Sequence, residues 1–113
     1  MDITKDTEQK ISQLQMFEQS LQSFLGQKQQ FQIQLTEIES ALGELEKTDK
    51  AYKIIGNIMV ESDKIELKTD LQSKREMLEL RIRTMEKQEA QVREKASSLQ
   101  SEILKKIKKE DSS

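Results

Sequence analysis

Ala51-Tyr52-Lys53-Ile54-Ile55-Gly56-Asn57-Ile58-Met59-Val60-Glu61-Ser62 is the one stretch of this chain whose residue pattern is not helical. Gly56-Asn57 separates two short runs of Ile, Val, Met and Tyr, the pattern of a β-hairpin with a two-residue loop. Gly at the first central position supplies the positive φ that a type II′ turn requires. The spacing sets Ile55 opposite Ile58, Ile54 opposite Met59 and Lys53 opposite Val60. Alternation then sends Ile55, Ile58 and Val60 to one face, and Tyr52, Ile54 and Met59 to the other. Both faces are apolar, and a lone two-stranded hairpin is marginal in water with two open edges. Such a hairpin needs partners.

On both sides of it the period changes from two to seven. Before it, heptad a positions fall at Leu14, Leu21, Lys28, Leu35 and Leu42, and d positions at Phe17, Phe24, Phe31, Ile38 and Leu45. All are apolar except Lys28, a sustained coiled-coil signal that predicts a helix over about 7–46. A helix of that length is on the order of 60 Å long and cannot fold back into a globule. After the hairpin, d positions fall at Leu71, Leu78, Met85, Val92 and Leu99, and a positions at Arg75, Ile82, Glu89, Ala96 and Ile103. The second helix is expected over about 63–109. Asp63 with Glu66 and Thr69 with Gln72 both read as capping boxes for its start.

The fold expected is mostly α. A long antiparallel two-helix coiled coil is joined by a single β-hairpin that must associate with other chains. The chain forms one domain, 1–113, with polar terminal tails. If the helices run level with the hairpin, Leu14 lies by Leu99 and Leu35 by Leu78. A shift of one heptad would set Leu21 by Leu99 and Leu42 by Leu78, and the sequence is compatible with both.

Composition narrows the chemistry. Charged residues make up 35% and hydrophobic residues 34%, and there is no Cys, His or Pro. Thiolate catalysis, disulfides, zinc fingers and imidazole acid–base chemistry are therefore excluded. No phosphate loop, dinucleotide fingerprint or metal-ligand cluster is present, so no cofactor and no catalytic residue is assigned. The chain reads as a non-enzyme. No apolar run approaches the ~18 residues of a membrane span, and the first residues lack an apolar signal core, which reads as a cytoplasmic chain with no membrane contact. A net charge of −2 argues against nucleic acid as a general partner.

Two features lie at the chain ends, which the hairpin-shaped chain brings together. Ile3, Ile11, Met16, Leu104 and Ile107 flank the seam there, either as ordinary residues of a fraying coil or as an exposed adhesive patch. Lys105-Lys106-Ile107-Lys108-Lys109 either complements the negative end of a helix dipole or contacts an acidic surface. Glu110 and Asp111 follow at once and no aromatic interleaves the lysines, which disfavours nucleic acid.

The sequence of heptad helix, Tyr52-Lys53-Ile54-Ile55-Gly56-Asn57-Ile58-Met59-Val60 hairpin and returning heptad helix resembles the β-class subunits of prefoldin, from about Glu8 to Ile107. Room for one hairpin rather than two is similar to the β class, and Thr84-Met85-Glu86-Lys87-Gln88-Glu89 and Asn57 are similar to archaeal members. The resemblance implies an α2β4 hexamer with α-class prefoldin subunits, jellyfish-shaped, with hairpins closing into a double barrel. It further implies an ATP-independent holdase that captures unfolded client proteins at its tips and delivers them to a group II chaperonin.

On that resemblance Tyr52, Ile54, Ile55, Gly56, Asn57, Ile58, Met59 and Val60 are expected to drive oligomerisation. Ile11, Leu14, Met16, Phe17, Ile103, Leu104 and Ile107 are expected to contact clients, and Lys105, Lys106, Lys108 and Lys109 to dock the chaperonin. The rival reading is a coiled-coil scaffold or tether without clients, which leaves the Tyr52–Val60 hairpin without a purpose.

Overall fold

The computed structural model describes residues 4–112, with side chains described through Lys109. The element order is α1 (Lys5–Leu45), β1 (Ala51–Ile55), β2 (Ile58–Ser62) and α2 (Lys64–Ser112). Among the described residues no helix is long and apolar enough to cross a membrane.

Capping explains where the helices begin. The Thr4 hydroxyl accepts the Thr7 amide at 3.2 Å, and the Thr4 carbonyl accepts the Glu8 amide at 3.0 Å, so α1 starts earlier than the heptads alone suggest. Of the two candidate starts for α2, Asp63 is the one used. Its Oδ1 accepts the Ile65 amide at 3.1 Å and its carbonyl accepts the Leu67 amide at 2.9 Å. Thr69 is no cap. It lies inside α2, and its hydroxyl donates back to the Ile65 carbonyl at 3.0 Å.

The chain forms two compact units. One spans Lys28–Arg83 and contains the hairpin with the adjoining parts of both helices. Its core is Leu42, Leu45, Ala51, Leu78 and Ile82. Across its helices Arg81 stands over the Phe31 ring, and Lys68 donates to Glu46 at 2.6 Å. Later residues of α1 thus meet earlier residues of α2, the mark of antiparallel packing.

The other unit holds α1 up to Gln27 and α2 from Thr84 onward. Among its described residues, Thr7, Leu99 and Ile103 are buried. Lys10 reaches Glu102 at 3.4 Å and Asp6 pairs with Lys106, again antiparallel. These contacts fit the level register in each unit, the one in which Leu14 falls at the height of Leu99 and Leu35 at that of Leu78. Sequence left this open because leucine seams tolerate a heptad shift. The flanking charges do not, since a shift would carry Glu102 a full heptad from Lys10.

Every a and d position assigned from the sequence is buried or half-buried, including Lys28, Arg75 and Glu89. Glu89 is held on its own helix, where Arg93 donates to its carboxylate at 2.9 Å.

Candidate functional site

The hairpin is built as its residues dictate. Its ladder pairs Ala51 with Ser62, Tyr52 with Glu61, Lys53 with Val60, Ile54 with Met59, and Ile55 with Ile58. Gly56 has φ 62 and no other described residue has positive φ, which is the backbone of a type II′ turn at Gly56-Asn57. The base is anchored, because Ala51 is buried and Ser62 half-buried. Beyond the base every side chain is exposed. Ile54 is 70% exposed and Ile58 66%, with Tyr52, Ile55, Met59 and Val60 also open on the two faces. The sheet has two strands among the described residues, so the outer edges of both carry unpaired amide and carbonyl groups. In chemical terms this is an adhesive element: apolar on both faces and able to extend a ladder at either edge.

The second region lies in the other unit, where the first turns of α1 meet the last turns of α2. The residues expected there as client contacts fall into three groups. Met16 and Leu104 are open, at 65% and 60% exposure. Ile11, Leu14, Phe17 and Ile107 are half-buried along the seam. Ile103 is 6% exposed, because it is a heptad a residue facing the partner helix, and it offers almost no surface in this state. Ile3 lies outside the described residues. Beside the seam, a groove of about 750 Å³ has Phe17 and Leu99 in its wall together with Gln13, Glu94, Lys95 and Ser98. Phe17 and Leu99 are the apolar residues of that wall, and the other lining residues are polar or charged.

The lysine run is divided too. Lys106 is half-buried and bound to Asp6, whereas Lys105, Lys108 and Lys109 are exposed. Asp6 and Lys106 belong to a cluster in which Lys10 bridges Asp6 at 3.5 Å and Glu102 at 3.4 Å. The Lys106 hydrogen bond holds the Asp6 carboxyl below its ordinary value. Lys68 does the same to Glu46 near the hairpin. Sequence reading missed the Asp6–Lys10–Glu102–Lys106 cluster. Its signal was the opposite charge of residues flanking the seam at matching levels, visible only once the register is known.

Comparison with known proteins agrees with this geometry. A family model described as "Prefoldin subunit" matches residues 8–110. A prefoldin subunit beta of Thermococcus onnurineus is 38% identical over 96 residues, covering 82% of this chain and 83% of that one. The Methanospirillum hungatei prefoldin subunit beta is 34% identical over 109 residues, covering 94% and 91%. The crystal structure of the prefoldin beta subunit from Thermococcus strain KS-1 superposes with a TM-score of 0.83 at 33% identity, covering 90% of this chain and 92% of that one.

Proposed function

Because this chain belongs to the prefoldin subunit family, on the side of its β-class members, we propose that it works as an ATP-independent holdase within an α2β4 hexamer. Four copies of this chain and two α-class subunits join through their hairpins, and closure into a barrel removes the open strand edges. Tyr52, Ile54, Ile55, Ile58, Met59 and Val60 form that interface around the Gly56-Asn57 turn. The whole chain acts as one functional domain, in the cytoplasm, with no enzymatic step.

Unfolded clients are held at the helix ends. The observation that carries this reading is the exposure of Met16 and Leu104 at these helix ends, together with a groove that has Phe17 and Leu99 in its wall. Each end offers a small apolar patch of low affinity, and several ends in one complex gain avidity through effective concentration. Half-buried Ile11, Leu14 and Ile107, and buried Ile103, contribute when the seam loosens. Release then follows from competition, with transfer to a group II chaperonin through Lys105, Lys108 and Lys109, and through Lys106 when it leaves Asp6.

The test is light scattering from a chemically denatured client diluted into buffer without nucleotide. The assembled complex is expected to suppress scattering at stoichiometric amounts. Scattering indistinguishable from that of client alone would reject the reading.

A further inference from the structure

We propose that the cluster of Asp6, Lys10, Glu102 and Lys106 is a clasp that closes the helix ends and gates the apolar surface beneath them. The gating rests on the holdase reading above; the clasp itself does not.

Three observations support it. The cluster joins the first turns of α1 to the last turns of α2, through Asp6–Lys106 and Lys10–Glu102, with Lys10 also tied to Asp6 at 3.5 Å. Each helix thus contributes one cation and one anion, and the two cross-helix pairs lie a turn apart. Second, the seam beside it is partly covered, with Ile103 buried and Ile107 half-buried. Third, the start of α1 is pinned independently: Thr7 is buried, and its hydroxyl lies 2.9 Å from that of Thr4. Helix ends ordinarily fray, so an end held on both strands of the coil is a built feature.

The strength of the bonds suits a gate. Exposed ion pairs each shift an equilibrium by no more than about fivefold, and salt screens them. A clasp of such pairs holds the ends shut in the free protein yet yields to an apolar client segment. Closed, the ends present chiefly Met16 and Leu104. Open, they add Ile103, Ile107 and Ile11, a larger and continuous apolar strip.

The chain has no cysteine, so Asp6→Cys with Lys106→Cys introduces a single disulfide across the clasp, verified by mass and removed by reductant. Both forms are assembled into the full complex and assayed for hydrogen exchange at the helix ends and for client holding. The oxidised form is expected to exchange more slowly at the ends and to hold client several-fold less well than its reduced self. A second variant, Asp6→Asn with Glu102→Gln, removes both anions. It is expected to raise exchange about three- to tenfold at the ends alone, and to hold client better.

Unchanged exchange in the Asp6→Asn, Glu102→Gln variant would overturn the clasp. Equal holding by oxidised and reduced forms, with exchange responding, would overturn the gating. If the unmodified complex holds no client while exchange still responds, the holdase reading falls and takes the gating with it, leaving the clasp as a structural device.

Discussion

The Arg81 guanidinium lies over the ring of Phe31, 5.8 Å from its centroid, so a charge on α2 covers an aromatic seam residue of α1. That contact is possible only in the level register, because a heptad shift would move Arg81 about 10 Å along the helix. Cysteine pairs at positions 14 with 99 and 35 with 78 should therefore oxidise readily. Pairs at 21 with 99 and 42 with 78 should not, and their preferential linkage in a non-reducing gel would contradict the register.

Glycine substitutions should act in opposite directions. A Cβ added at Gly26 or Gly43 meets nothing within 4 Å, so Gly26→Ala and Gly43→Ala should each stabilise the chain by about 1 kcal/mol through helix propensity. At Gly56 there is equal space but φ is 62, and Gly56→Ala should cost about 1–2 kcal/mol of left-handed strain. Urea unfolding monitored by circular dichroism would show both signs.

Ile58→Asp should separate folding from assembly. Ile58 is exposed in the single chain, so the helices should keep their circular dichroism. An aspartate in an apolar strand interface would leave an unpaired charge, which is strongly unfavourable. Native mass spectrometry should show loss of the proposed hexamer; a hexamer of normal mass would place the interface elsewhere.

Acid should loosen two places where lysines hold a carboxyl below its ordinary value. The Lys106 hydrogen bond depresses Asp6 and the Lys68 hydrogen bond depresses Glu46, from ordinary values of 3.8 and 4.5. A carboxyl depressed in the folded state binds fewer protons than in the unfolded chain. Its contribution is therefore complete above the ordinary value and is lost as pH falls through the depressed one. Carboxyl resonances of Asp6 and Glu46 should titrate below those of ordinary carboxylates, and high salt should bring both back up. Midpoints at the ordinary values in low salt would remove the basis for both pairs.

Much of this fold is written in period and turn chemistry. The seam assignments from Leu14 to Leu45 and from Leu71 to Ile103 all fall on inward positions. The hairpin ladder follows from Gly56-Asn57 alone. These features are local, so a single chain reveals them. The start of α2 was ambiguous because Asp63 and Thr69 carry the same capping chemistry, and only the following hydrogen bonds choose between them. At the helix ends, residue type separated Met16 and Leu104 from polar neighbours, and the heptad already set Ile103 in the seam, where its burial leaves little surface for a client. Lys106 likewise looked like one more solvated lysine until α1 brought Asp6 beside it.

The burial of Ala51 at the root of β1 has a kinetic consequence. The turn, the ladder and the anchored base are all supplied by one chain, with no neighbour's residues. In the proposed assembly, hairpin association is then docking of a preorganised surface, in which the loss of strand entropy has already occurred. Encounters between subunits should therefore be limited by orientation and desolvation, not by folding.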